Sequence, residues 1–510
     1  MNFSLHNRSL TVRTIVGMML LIPSLMLAQT FELADATPFF DVRYGASAFA
    51  DIDNDGDQDV VMVGNRAEFS LPQNENYIAK LYTNDGLGNF TEVIGTPFIG
   101  LQSVALAFAD VDGDNDPDLL VTGIDFRFNP ITTMYLNDGT GNFTILATSP
   151  FENVYAADIV FADVDGDEDL DVFVSGSTVA FEAISSSKLY INDGAGGFVE
   201  KANTPFANTQ ETSMDVSDFD LDGDLDLLLL GTSEVPGPIT EAYLNDGQGN
   251  YTVAPQYNFE QLSSGDLSFS DIDNDGDEDL LISGTSDSGL TPYTGLYMND
   301  GAGNFVEDQN SSLAPLKFVS SIFCDFDNDG FEDLLMTGKN STDPNLFIDE
   351  GKETLLYMND GNGVLEEVAD NAFPTLDFGH LSCGDVNGDD FNDVFIMGTL
   401  DQGVTHYSEI FFNTSLVSAV REQSGSLNDF ISAYPNPVTS GELYVNVGES
   451  ISRDAHVFVA DLLGRTIEVN SSIVEEGVLA LDVAQLSTGT YFVVLASEGA
   501  TVTQKFSVIR

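Results

Sequence analysis

The residues best equipped for chemistry are aspartates. Residues 51–64 read DIDNDGDQDVVMVG, with carboxylates at alternating positions and an apolar run behind them. The pattern returns at 110–123, 163–176, 218–231, 271–284, 325–338 and 385–398, each time with the first acid thirteen places before a closing glycine. Positions 1, 3, 5 and 9 of each loop are oxygen donors. They are Asp51, Asp53, Asp55 and Asp59; Asp110, Asp112, Asp114 and Asp118; Asp163, Asp165, Asp167 and Asp171; Asp218, Asp220, Asp222 and Asp226. The remaining loops supply Asp271, Asp273, Asp275 and Asp279; Asp325, Asp327, Asp329 and Asp333; Asp385, Asn387, Asp389 and Asp393. Hard oxygens at alternating positions around a tight turn are what Ca²⁺ takes, with position 7 offering its carbonyl. Magnesium keeps its waters and rarely accepts an all-protein cage. An EF-hand needs flanking helices and a Glu at the twelfth position, whereas here a strand-like run follows. The expected cofactor is Ca²⁺, up to seven ions, and the alternative is a set of solvated acidic turns.

No other constellation competes. G-x-S-x-G, H-E-x-x-H, P-loop and C-x-x-C patterns are missing from the sequence, and no catalytic residue is expected. His380, His406 and His456 are scattered and read as structural. Asp and Glu number 83 against 16 Lys and Arg, for a net charge of −67 over 510 residues. Such a chain repels nucleic acid and anionic lipid and attracts cations. The two cysteines, Cys324 and Cys383, make no disulfide framework. They stand one and two places before a loop acid, which predicts opposite faces of their strands and two buried thiols. At the N-terminus, Arg8 and Arg13 precede an apolar stretch over 15–27 that ends at Ala28, the pattern of a secretory signal peptide. No later segment reads as a membrane span.

The loops must be carried by repeating elements. Their starts are 59, 53, 55, 53, 54 and 60 residues apart. A second motif recurs in phase, as in LYTNDGLGNF at 81 and LYMNDGAGNF at 296, and the seventh copy shortens to IFFNTS at 410. Each period reads as four short strands, with the Asn-Asp-Gly turn joining the last two. Seven such units predict an all-β fold, a seven-bladed β-propeller followed by a small C-terminal β-sandwich. Small residues before each Asp loop suit an innermost strand crowded round an axis. Gly56, Gly223, Gly276 and Gly330 at position 6 imply a positive φ there. Asn115 and Asp390 tolerate it, and Glu168 less so, which predicts strain in the third loop.

These residues resemble the FG-GAP/VCBS family of calcium-binding propeller repeats, related in fold to the integrin α-subunit head, over about 30–415. The resemblance implies that the Asp loop joins the first two strands of each blade and that the same aspartates are ligands. It also implies that residues 30–35 complete the last blade beside 409–415. Asn387, Glu168 and Pro117 depart from the family pattern and bear on the occupancy of loops 7, 3 and 2. After a linker at 416–427, the order YPNP, DLLGR, LSTGTYFV, KFSV resembles the C-terminal sorting domain of type IX secretion in Bacteroidota. That resemblance implies type IX secretion machinery as a partner and export across two membranes, with the product released or held at the surface. The implied division is 1–28 signal peptide, 29–415 propeller, 416–427 linker and 428–510 sorting domain.

Asp loops and Asn-Asp-Gly turns share one face of such a propeller. Variable loops share the other, and carry Phe69, Tyr77, Phe126, Phe128, Phe181, Tyr293 and Phe347 with Arg66 and Arg127. The expectation is a non-enzymatic, secreted or surface-held binding and adhesion module for a protein or glycan. The alternatives are an accessory protein that captures substrate for polysaccharide degradation, or an enzyme on a propeller scaffold.

Overall fold

The computed structural model describes residues 31–414, apart from short breaks in loops, and part of 432–508. Residues 1–30, the 415–431 stretch, Phe69 and Phe347 lie outside the described residues. Seven four-stranded antiparallel sheets follow one another in chain order. Blade 1 is Arg43–Ala50, Asp59–Asn65, Tyr77–Thr83 and Thr91–Val93. The first strands of the blades contact one another in succession, and that of blade 7, Asp377–Gly384, returns to that of blade 1. These strands therefore surround the axis, which agrees with the expectation from their small residues. Four of the second strands, such as Asp59–Asn65, are buried along their whole length, and the other three over all but their last one or two residues. That burial explains why they read as continuous apolar runs.

The ring closes as the resemblance implies. Phe31–Leu33 pairs antiparallel with Thr405–Asn413, with Phe31 opposite Asn413 and Leu33 opposite Phe411. Blade 7 thus takes its outermost strand from the start of the described chain.

Three devices join blades. A Pro-Phe pair in the connection entering a blade packs against the tyrosine of that blade's third strand: Phe98 on Tyr135 and Phe151 on Tyr190, both with ring centroids 5.0 Å apart. The next backbone N–H donates to that tyrosine's hydroxyl, from Ile99 at 3.1 Å and Glu152 at 2.9 Å. Around the axis, the residue five places before the Asp loop reaches the next blade in blades 3 to 7. Asp158 accepts from Met214 N at 2.7 Å, Ser213 Oγ from Leu267 N at 3.1 Å, and Asp266 from Ser321 N at 2.7 Å. Ser320 Oγ accepts from Leu381 N at 3.2 Å, and His380 Nε2 meets Ser47 O at 2.9 Å. Blades 1 and 2 have Ala46 and Ala105 at this place. Edge N–H groups near the axis have no sheet partner, so a short acceptor satisfies them in blades 3 to 6, whereas the His380 ring faces a carbonyl.

The third device corrects the sequence reading. Cys324 and Cys383 form a disulfide with Cα atoms 6.8 Å apart, joining the inner strands of blades 6 and 7. The opposite parity inferred for them holds within each strand. Neighbouring blades pack face to face, however, so the front of one sheet meets the back of the next. Opposite parity is what brings the two sulfurs together.

Every inner strand also carries a bulge, marked by a register shift in each of its pairings. The residue seven places before the loop acid has a left-handed backbone in all seven: Tyr44, Ser103, Ala156, Glu211, Ser264, Phe318 and Phe378, with φ between 45° and 53°. The extra residue bends the strand where it enters the crowded axis.

In the C-terminal part, Glu442–Asn446 and Val478–Asp482 belong to one four-stranded sheet, and His456–Ala460 and Gly489–Ser497 to another. Leu443, Val445 and Leu481 from the first share a buried cluster with Val459 and Val493 from the second.

Candidate functional site: seven carboxylate loops latched in a ring

Each Asp loop is a short irregular connection between the first two strands of its blade. Its acids divide the work. Position 1 holds the turn: Asp51 accepts from Asp55 N and Gly56 N, both at 3.1 Å. Position 5 holds the exit, as Asp55 accepts from Asp57 N at 3.1 Å. Position 9 is buried and doubly bonded; Asp59 accepts from Ile52 N at 3.1 Å and from Asn84 N at 2.8 Å. Position 3 is different. The Oδ1 atoms of Asp53, Asp112, Asp165, Asp220, Asp273 and Asn387 are buried without a hydrogen-bond partner.

A buried oxygen acceptor without a donor is costly, and the same position orphaned in six loops, a carboxylate in five and an amide in the seventh loop, is a pattern. Carboxylates at positions 1, 3 and 9 converge in loops 1, 2, 3 and 5, and those at positions 1, 3 and 5 in loop 4, each set with ligand atoms within 4.8 Å. Burial, then the charges of Asp55 and Asp51, raise Asp53 above the usual carboxylate range. Burial pushes Asp59, Asp118, Asp226, Asp279 and Asp393 up to about 7 and Asp171 to about 6, with Asp333 at about 8. Mutually repelling oxygens that converge around unbonded lone pairs fit a hard divalent cation. Such an ion would supply charge neutralisation and hold the loop ends together.

The Asn-Asp-Gly turn is more than a hairpin connection. The backbone N–H of its first Asn donates to the position-9 acid of its own blade in all seven, including Asn413 to Asp393 at 2.7 Å in the shortened copy. Its side chain donates to the position-2 carbonyl of the preceding loop. Asn84 reaches Val386 O at 2.7 Å, Asn137 reaches Ile52 O at 2.8 Å, and Asn192, Asn245, Asn359 and Asn413 do the same. The turn's second glycine lies over the preceding loop; a Cβ on Gly363, whose φ is +80°, would come 3.3 Å from the Cβ of Asp273. Six of the seven loops are thus held by their own blade and by the next. A signal for this existed in the sequence, since the two motifs recur in fixed phase.

Loop 4 breaks the pattern. Asn299 turns to Glu278 O at 3.3 Å instead of the preceding loop, and Asp226 Oδ2 has no partner. Its position 4 is Leu221, with φ 62°. Glu168 has φ 73°, as the sequence reading of loop 3 expected. Leu221 was missed because the expectation considered position 6 alone. Both positions are left-handed in all seven loops, and every loop has glycine at one of them.

On the opposite face, Phe128 and Phe181 come from loops of neighbouring blades and meet with centroids 5.1 Å apart. They are 46% and 81% exposed, and both have φ 65°. Arg127 lies over Phe126 at 4.5 Å. Tyr293 is on a strand, its hydroxyl 3.0 Å from that of Tyr297, and Tyr77 begins a strand; neither belongs to a free loop.

The family comparison agrees with this geometry. The FG-GAP-like repeat matches residues 51–121, 218–282 and 271–336, and the secretion system C-terminal sorting domain matches 432–509. This chain is built of FG-GAP-like repeats and carries a secretion sorting domain. No curated protein matches it. Among solved structures, the FG-GAP-like propeller is similar to a point mutant of the Aleuria aurantia lectin in complex with alpha-methyl-L-fucoside. The identity is 11%, the TM-score 0.37, and the match covers 66% of this chain and 99% of that one. It is also similar to AofleA from Arthrobotrys oligospora, at 11% identity and TM-score 0.38, covering 67% and 91%. A third likeness is to a structure titled Dos1 propeller, at 11% and 0.40, covering 75% and 95%. Likeness at this level carries no weight for ligand or activity. The sorting domain links the chain to a type IX secretion system and to secretion or the outer surface. Among the described residues no helix is long and apolar enough to cross a membrane.

Proposed function

We propose that this protein is a secreted or surface-held binding module whose ring is stabilised by calcium, and that its ligand, a protein or a glycan, docks on the variable-loop face. The division of labour between the two faces carries this reading. One face repeats the same carboxylate loop seven times and latches the copies together. The other differs from blade to blade and exposes a strained aromatic pair. Backbone strain at exposed rings is common where ligands are gripped. Calcium would be held by the donors at positions 1, 3, 5 and 9, with the orphaned position-3 oxygens as its first partners. The reading is one of binding and not of catalysis, because the titratable clusters serve the loops.

Extracellular calcium modules bind at about 10⁻⁴–10⁻³ M. A site held roughly 100-fold above its Kd adds about 2.7 kcal/mol. Thermal unfolding of the full chain in calcium and in chelator, with a count of bound metal, tests the first half. Several ions per chain and a large upward shift in Tm are expected; no bound metal and no shift would remove calcium from the reading. Binding to cells and glycan surfaces by wild type and a Phe128→Ser, Phe181→Ser double variant tests the second half. Equal binding by a correctly folded variant would move the ligand site elsewhere.

A further inference from the structure

The seven inner strands provide their own control. The left-handed bulge residue is Ser, Ala or Glu in blades 2 to 5, so the blade does not need a ring there. A bulky side chain is also the poorer choice at positive φ. Yet blades 6, 7 and 1, which are neighbours, place Phe318, Phe378 and Tyr44 at this position. The three rings join into one cluster: Phe378 lies 5.0 Å from Tyr44 and 5.6 Å from Phe318. They sit where the inner strands begin, at the end away from the Asp loops, on one half of the rim of the central axis.

Charge marks the same half. Arg43, Lys317, Lys339 and Lys352 gather here, four of the nine Lys and Arg residues between 31 and 414; Arg43 and Lys352 are half-buried and Lys317 and Lys339 buried, with Lys317 Nζ on Asp343 O at 3.4 Å and Lys352 Nζ on Leu400 O at 2.7 Å. Arg43 Cζ is 5.3 Å from the Tyr44 ring, Lys317 Nζ 5.8 Å from Phe318 and Lys339 Nζ 5.8 Å from Phe378. Lys339 also pairs with the buried Asp377 at 2.5 Å. Cations already face these rings, so a further cation gains little from them. Anions are repelled by most of this molecule and least here. Next along the axis, the same blades supply two hydroxyls, the buried Ser47 Oγ and the half-buried Ser382 Oγ, bonded to each other at 2.9 Å.

We infer that this aromatic and cationic half-rim binds an acidic sugar residue, a uronate within a polysaccharide. The apolar face of a pyranose stacks on the rings, its carboxylate turns to the side of Arg43, and its hydroxyls meet the serine side. The inference rests on the reading that the variable-loop face binds ligand, and it names the ligand class.

Calorimetry of the full chain in calcium-buffered solution tests it. The probes are a trigalacturonate, a neutral trisaccharide and an arginine-rich peptide. The variants are Phe318→Ser with Phe378→Ala, Arg43→Gln, and the same-ring control Ser103→Ala. Blade 3 already has Ala and blade 5 Ser at this place, so the aromatic variants should fold, and Tm in calcium checks that they do. Trigalacturonate should bind about tenfold more tightly than the neutral sugar, a gap of about one decade in Kd. The aromatic double variant and Arg43→Gln should each lose about that factor, Arg43→Gln should flatten the salt dependence, and Ser103→Ala should change nothing. Equal binding of the neutral sugar, tighter binding of the peptide, or indifference to Arg43→Gln overturns the inference. If trigalacturonate does not bind, or survives the half-rim changes, while Phe181→Ser still weakens cell binding, the inference falls and the variable-face reading stands.

Discussion

At the scale of single residues, the loops show how a ligand set can be legible while its backbone is not. The donors lie within nine positions of one another in each copy, so their convergence is local and could be read from spacing. The conformation that brings them together needs two left-handed residues, and glycine supplies only one per loop. Leu221 bears the cost in loop 4, at φ 62° and 44% exposed. Replacing it with glycine removes the Cβ clash without removing a buried group. Leu221→Gly should therefore raise stability by roughly 1 kcal/mol, read as a higher Tm in saturating calcium. The same change at Ile52, which is buried in the core beneath loop 1, should lower it.

At the scale of elements, what the sequence hid is the contact between blades. Asn137 and Ile52 are 85 residues apart, and nothing local in either reports the other. The cysteines failed for a related reason: parity within one strand was read correctly, but the pairing depends on how two sheets face. The axial staples belong here too. Asp158 and Asp266, both half-buried, are raised by desolvation where the inner strands crowd the axis, Asp158 to about 7. A carboxyl whose folded pKa exceeds its unfolded value of 3.8 binds more protons when folded. Its contribution is most favourable below that unfolded value, and is lost as pH rises towards 7. Ser213 makes the same staple in the next blade without a titrating group. Asp158→Ser should thus gain on wild type as pH rises from about 4 to about 7, by on the order of a few kcal/mol. Paired unfolding curves across that range, in constant excess calcium, measure it; parallel curves would mean that the staple is ionised at every pH.

At the scale of the whole molecule, the all-β repeat architecture was the most legible feature, because seven copies of two phased motifs leave few other folds. The disulfide was not, and it matters for the ring as a unit. It spans a sequence separation of 59 between blades 6 and 7. Constraining the unfolded chain over such a span is typically worth about 2–4 kcal/mol. Reduction, or Cys383→Ser, should lower stability by that order in denaturant titration, and adding reductant to the variant should change nothing further. The closing strand has a consequence for the timing of assembly. Phe31–Leu33 must wait for Thr405–Asn413 before either has its full set of partners. Blades 1 to 6 can stack in the order in which they emerge, yet blade 7 lacks its outer strand until both ends of the repeat array have arrived. A molecule of this kind has no finished intermediate. Phe31–Leu33 are among the last to find their place, and a chain still threading through a channel remains an open arc.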